Sequence, residues 1–158
     1  MPAQKPGRSK QDYQTPPEFI RAVKHLLGVE AFGLDLAASQ ENTQANHFWS
    51  EADNALGLDW YVLEGWNWLN PPYANITPWV KKAAEADRKI AVLVPASVGS
   101  GWWHDWVFRR SFILYLRPRI SFIGADGPYP KDLALLLYGI LPKGDAAWNW
   151  RTDVHTLS

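Results

Sequence analysis

Two consecutive prolines, Pro71 and Pro72, follow the apolar run Trp66-Asn67-Trp68-Leu69 and are flanked by Asn70 and Tyr73. Neither proline can donate a ladder hydrogen bond, and each holds its backbone near one φ value, so a strand must end there with its last carbonyls free. Downstream, residues 77–89 carry Trp79, Val80, Ala83 and Ala84 at helical spacing, and Ile90-Ala91-Val92-Leu93-Val94-Pro95 reads as a buried strand. Strand, helix, strand in that order predicts a parallel pair and an α/β chain. At the stiff end of the first strand, Asn70 and Tyr73 supply an amide oxygen and an aromatic plate suited to a planar group bearing an amine.

The flanking sequence extends this pattern. Thr15 precedes Pro16-Pro17-Glu18, after which Phe19, Ile20, Val23, Leu26 and Leu27 recur at helical spacing, predicting a capped helix over residues 17–27 closed by Gly28. Residues 31–36 read as a short strand with Asp35 near its carboxyl end, followed by the small residues Ala37, Ala38 and Ser39. Residues 46–49 suggest a second strand, and residues 50–60 a loop carrying Glu51, Asp53 and Asp59. Gly99-Ser100-Gly101 opens a tryptophan-rich segment to Arg110. Residues 112–116 and 133–141 are expected to form a late antiparallel hairpin around a Gly/Pro-rich excursion. Ligands of open α/β sheets sit outside the carboxyl ends of the strands, which places Asp35, Asn70 and Pro95 on one edge.

The length of 158 residues suits one domain, expected over residues 12–158, behind a flexible basic leader (residues 1–11) with Lys5, Arg8 and Lys10. No apolar run approaches the ~20 residues of a membrane span, and the leader lacks the apolar block of a secretory signal, so a cytoplasmic protein without membrane contact is expected. The absence of cysteine excludes disulfides, thiolate metal sites and a cysteine nucleophile. His25, His47, His104 and His155 show no paired metal spacing, and no metal is expected. Sixteen basic and sixteen acidic residues argue against holding a nucleic acid mainly by bulk charge. Most of the ten tryptophans are expected to be core filler.

An amine conjugated to an aromatic ring is a poor nucleophile, because its lone pair is delocalised and both hydrogens lie in the ring plane. The Asn70 side-chain oxygen and the Pro71 carbonyl could each accept one N–H, favouring a nitrogen that pyramidalises toward an electrophile. Tyr73 could stack on the ring, a contact worth roughly 1–3 kcal/mol. These residues alone leave a nucleobase and an amide equally suitable.

The tetrapeptide resembles the catalytic motif of amino-methyltransferases that use S-adenosylmethionine, and over residues 12–137 the chain resembles the phage-type (Dam-like) DNA N6-adenine methyltransferases. The likeness rests on ordered blocks: Tyr13-Gln14-Thr15-Pro16, Phe32-Gly33-Leu34-Asp35-Leu36-Ala37-Ala38, Phe48 to Asp53, Asn70 to Tyr73, Trp79-Val80 with Lys82-Ala83, Val94-Pro95-Ala96, Trp102-Trp103-His104-Asp105 and Arg119-Ile120-Ser121-Phe122. The resemblance implies a single-domain, Rossmann-like class I methyltransferase fold, with a mostly parallel central sheet and a C-terminal antiparallel strand. It implies S-adenosylmethionine as cofactor, N6 of adenine in double-stranded DNA as acceptor, and action in a host cytoplasm if the chain is phage-encoded. By the same resemblance Asn70, Pro71, Pro72 and Tyr73 are catalytic. Tyr13, Gln14, Thr15 and Pro16 match the segment receiving the cofactor's carboxylate, Asp35 the acid near its amino group, and Leu36, Ala37 and Ala38 the backbone approaching it. Asp53 or Asp59 would serve the ribose or the adenine amine. The chain departs from many methyltransferases in having Ala37-Ala38-Ser39 where a glycine-rich turn is common.

Adenine in a duplex must be flipped out to react, at a cost of a few kcal/mol met by contacts elsewhere. Trp102, Trp103, Arg117 and Arg119 are the expected DNA contacts, with Trp106, Arg109, Arg110 and the leader as further candidates, and residues 124–131 form the loop most available to bases. The rival expectations are an N-methyltransferase acting on a protein glutamine amide, and a catalytically silent binding module.

Overall fold

A computed structural model of the chain describes residues 14–153. Tyr13, His155 and the leader lie outside them. Pro17 opens helix α1 (Pro17–Leu27), whose buried face is Phe19, Ile20, Val23, Leu26 and Leu27, as the periodicity predicts. No side chain caps its first turn. Gly28 ends it at φ +70°, a left-handed conformation that glycine adopts without a Cβ penalty.

After three short 3₁₀ turns (Glu51–Asp53, Ala55–Gly57, Trp60–Val62) come strand β1 (Asn67–Leu69), another such turn (Tyr73–Asn75), helix α2 (Thr77–Ala86) and strand β2 (Ile90–Pro95). Helix α3 (Gly101–Trp106) and strands β3 (Phe112–Arg117), β4 (Leu133–Tyr138) and β5 (Gly144–Asn149) complete the described residues. Helix α2 stops at Ala86 rather than continuing to residue 89, because Asp87 turns left-handed (φ +51°) and returns its amide to the Ala83 carbonyl.

The five strands form one open mixed sheet in the order β1-β2-β4-β3-β5. Strands β1 and β2 pair in parallel, as do β3 and β5, whereas β4 runs antiparallel to both β2 and β3. The β3–β4 hairpin is as expected. The expected antiparallel strand is β4, inserted between β2 and β3; the sheet is mixed rather than mostly parallel, with two pairings of each kind, and β5, which periodicity did not reveal, pairs in parallel with β3. The first four residues of β5 are exposed, so this edge strand carries no core-facing alternation to read. The strands expected at 31–36 and 46–49 are reduced to isolated parallel bridges, Phe32 to Ala45, and Asp35 to both Phe48 and Trp68. They extend the sheet's pairing beyond β1 without forming regular strands.

Both faces of the sheet are apolar, and alternation sorts its residues. Ala91 and Leu93 of β2, with Leu133, Leu135 and Leu137 of β4, pack under α1 against Phe19 and Trp68. Ile90, Val92 and Val94, with Ala134, Leu136 and Tyr138, pack under α2 and α3 against Val80, Ala83 and Trp103. Six of the ten tryptophans (Trp60, Trp66, Trp68, Trp103, Trp148 and Trp150) are buried, in accord with their expected use as core. Among the described residues, no helix is long and apolar enough to cross a membrane.

Candidate active site

The polar residues of interest gather where strands end. Trp68 of β1 pairs with Asp35 on one side and, through Leu69 and Val92, β1 runs in register with β2 on the other. Asn70 therefore emerges between residues 36–38 and the end of β2 at Pro95, as the strand-end argument required. The Pro71-Pro72 step stops the ladder, and Tyr73–Asn75 turns the chain into α2, with the Asn75 amide on the Pro72 carbonyl at 3.2 Å.

Two side-chain polar atoms among the described residues are buried without a hydrogen-bond partner, and both belong to this tetrapeptide: Asn70 Oδ1 and the Tyr73 hydroxyl. Burying a polar group unpaired costs roughly 1–3 kcal/mol, so a pair of orphans in four residues marks a place shaped for a ligand's own donors and acceptors. Burial raises the Tyr73 hydroxyl well above its ordinary pKa, aided by the nearby Tyr129 hydroxyl, so Tyr73 stays neutral. The ring of Tyr129 meets Tyr73 edge-on at 5.7 Å, and Phe122 meets Tyr129 edge-on at 5.9 Å. Neither contact was anticipated individually. The Pro128-Tyr129-Pro130 triplet was the available signal, since flanking prolines fix a tyrosine's backbone.

Asp35 is 2% exposed. Its two carboxylate oxygens accept the amides of Ala37 (3.3 Å) and Gln44 (2.9 Å), and it makes no ion pair among the described residues. Burial pushes its pKa up to about 7, against the lowering effect of those two amides. A carboxylate held this way lacks only a cation. Leu36 is fully buried and donates its amide to the Trp68 carbonyl, while Ala37 and Ala38 are half-buried beside it.

Gln14 exchanges two backbone hydrogen bonds with Ile123, and its side-chain amide donates to the Glu41 carbonyl. Thr15, 4% exposed, and the buried Pro16 follow it. Asp53 and Asp59 have local partners: Asp53 accepts the Ser50 amide at 2.7 Å in a capping box, and Asp59 accepts the Tyr61 amide at 2.9 Å.

The expected DNA contacts separate by burial. Trp103, expected at the DNA, is only 4% exposed and packs with Val107 under the sheet, because α3 turns that face inward. Trp102 is half-buried against it. Arg117 is exposed at the carboxyl end of β3, and Arg119 makes an exposed ion pair with Asp132 at 3.2 Å. No group of three or more His, Asp or Glu side chains that could hold a metal gathers among the described residues.

The sequence model of the DNA N-6-adenine-methyltransferase (Dam) family matches residues 3–133. The DNA N-6-adenine-methyltransferase of Escherichia phage T1 is 34% identical over 103 residues, covering 63% of this chain and 42% of that protein. The protein of the same description from Haemophilus phage HP1 (strain HP1c1) is 33% identical over 100 residues, covering 60% of this chain and 57% of that protein. The chain spans about half the length of the curated relatives it matches.

Proposed function

We propose, from the premise that this chain belongs to the DNA N-6-adenine-methyltransferase (Dam) family, that it transfers a methyl group from S-adenosylmethionine to N6 of an adenine flipped out of double-stranded DNA. The observation that carries the proposal is the pair of buried, unpartnered atoms, Asn70 Oδ1 and the Tyr73 hydroxyl, at the carboxyl edge of the sheet.

The cofactor fits the residues present. Its amino group is the cation that the Asp35 carboxylate lacks, and the small side chains of Ala37 and Ala38 leave room for close approach of Leu36 to Ala38. Gln14, Thr15 and Pro16 face its carboxylate. When bound, S-adenosylmethionine supplies an electrophilic methyl group on a sulfonium sulfur.

Asn70 Oδ1 accepts one N–H of the adenine amine and the Pro71 carbonyl the other. As the nitrogen pyramidalises its N–H bonds grow more acidic, so both hydrogen bonds strengthen toward the transition state, and that difference is the catalytic effect. Pro72 keeps the turn stiff, and Tyr73 stacks on the purine. Asn70 accepts a hydrogen bond rather than a proton; the excess proton leaves to water after transfer, and no side chain need act as general base. Trp102 and Arg117 lie on the same edge as Asn70 and would contact the duplex around the extruded nucleotide. The reversed strand between β2 and β3 supports the Rossmann-like reading of the fold, and action in a host cytoplasm follows from the phage relatives. Family membership favours a base over a protein amide as acceptor.

The test is incubation with methyl-labelled S-adenosylmethionine and unmethylated duplex DNA, followed by digestion to nucleosides. Label in N6-methyladenine is expected. Label in protein, with none in the nucleosides, would overturn the assignment.

A further inference from the structure

Stacking by Tyr73 requires that its ring be held in one plane, yet its hydroxyl has no hydrogen-bond partner to hold it. We propose that Tyr129 is a positioning residue that fixes the Tyr73 ring for the target base, making part of the residue 124–131 excursion a wall of the active site rather than a free base-reading loop. The inference rests on the methyltransferase reading above.

Tyr129 is well placed for this. It lies between Pro128 and Pro130, whose rings restrict the backbone on both sides. Its amide donates to the Ile120 carbonyl at 2.8 Å, and the Ala125 amide donates to the Phe122 carbonyl at 3.2 Å, so the excursion is tied at both ends. The Tyr129 ring stands at 81° to Tyr73, and Phe122, a core residue, stands at 85° to Tyr129. An edge-to-face neighbour restrains a ring's tilt without stacking on it, which leaves an aromatic face for another π-system. Phe122 is followed by Ile123, whose backbone pairs with Gln14 beside Thr15. A single file of contacts thus joins the segment assigned to the cofactor with the ring assigned to the base, and Tyr129 is the member that touches that ring.

The role predicts a specific kinetic signature. With labelled S-adenosylmethionine and unmethylated plasmid DNA, Tyr129→Ala should lower kcat about tenfold, while the Kd for S-adenosylmethionine stays within about twofold of wild type. Tyr129→Phe, which keeps the ring edge, should restore wild-type kcat. Tyr129→Leu, which keeps apolar volume without an aromatic edge, should show the same loss as alanine and serves where the alanine variant fails to fold. A side chain that only stabilised the fold would lower the melting temperature and leave kcat of the folded fraction unchanged. Unchanged kcat in a folded leucine or alanine variant, or an equal loss in Tyr129→Phe, would overturn the positioning role while the methyltransferase reading stood. A wild-type protein that methylated no adenine would overturn both.

Discussion

Asp35 is the residue whose chemistry is most exposed to test. Its carboxyl is raised by burial from the ordinary carboxylate value of 3.8 to about 7. A carboxyl that holds its proton more tightly folded than unfolded contributes stability that is full below about pH 4 and is lost as pH rises through about 7. The apo protein should therefore lose melting temperature between pH 5 and pH 8, and Asp35→Asn should flatten that dependence. Binding of S-adenosylmethionine should run the opposite way, tightening as pH rises through 7 because only the ionised carboxylate pairs with the cofactor's amino group. Calorimetric titration of wild type and Asp35→Asn at pH 6 and pH 8 checks this: the variant should bind weakly at both. Equal affinities for wild type at the two pH values would contradict the assigned pairing. In the proposed mechanism Asn70 and Tyr73 work by a different principle: neither needs to change charge, and what suits them to the role is that their polar atoms are buried and unpartnered.

At the scale of elements, the cost of disturbing the supports can be ranked. Phe19 of α1 sits edge-on to Trp150 at 5.4 Å and also meets Trp68 and Trp148, so Phe19→Ala should cost about 3–5 kcal/mol, read from urea unfolding. Gly139 ends β4 at φ +75°, where a Cβ would collide with the Arg88 backbone, and Gly139→Ala should cost about 1–3 kcal/mol in the same measurement. Helix α1 was legible to the residue because an apolar period runs between Pro17 and Gly28, and strand β2 because an unbroken apolar run starts after charged Lys89 and stops at Pro95. Strand β5 was not, because an edge strand with four exposed residues and only Trp148 buried shows no alternation. The segments at 31–36 and 46–49 read as strands since their composition suits pairing, yet only single bridges form around Asp35. In the candidate site, Asn70 to Tyr73 stand out from their local chemistry alone. The burial of Trp103 was not legible, because it depends on which face of a six-residue helix meets the sheet. The Asp53 capping box was hidden by a similar ambiguity, since a loop carboxylate serves a backbone amide or a ligand with the same spacing. The Tyr73–Tyr129 contact joins residues far apart in the chain and has no local period to betray it.

For the whole molecule, zero formal net charge means that, under the proposed function, DNA would be held by few, placed contacts rather than by an overall positive field. Exposed Arg117 stands at the carboxyl end of β3, on the edge proposed to meet DNA, whereas Arg119 is already paired with Asp132. Arg117→Ala should reduce the slope of log affinity for duplex DNA against log salt by about one, and Arg119→Ala by less. Fluorescence anisotropy over a salt series distinguishes them, and equal slopes for wild type and Arg117→Ala would remove Arg117 from the interface. The proposed cofactor residues, the Asn70 turn and the aromatic file ending at Tyr73 gather at one edge of the sheet, so a change in one acceptor should affect transfer without dismantling the others. The most direct test is single-turnover transfer from labelled S-adenosylmethionine to duplex DNA by Asn70→Ala, with cofactor affinity measured on the same preparation. The predicted result is a fall in rate to N6-methyladenine on the order of 10²–10³-fold with cofactor affinity nearly unchanged; a wild-type rate from Asn70→Ala would contradict the account.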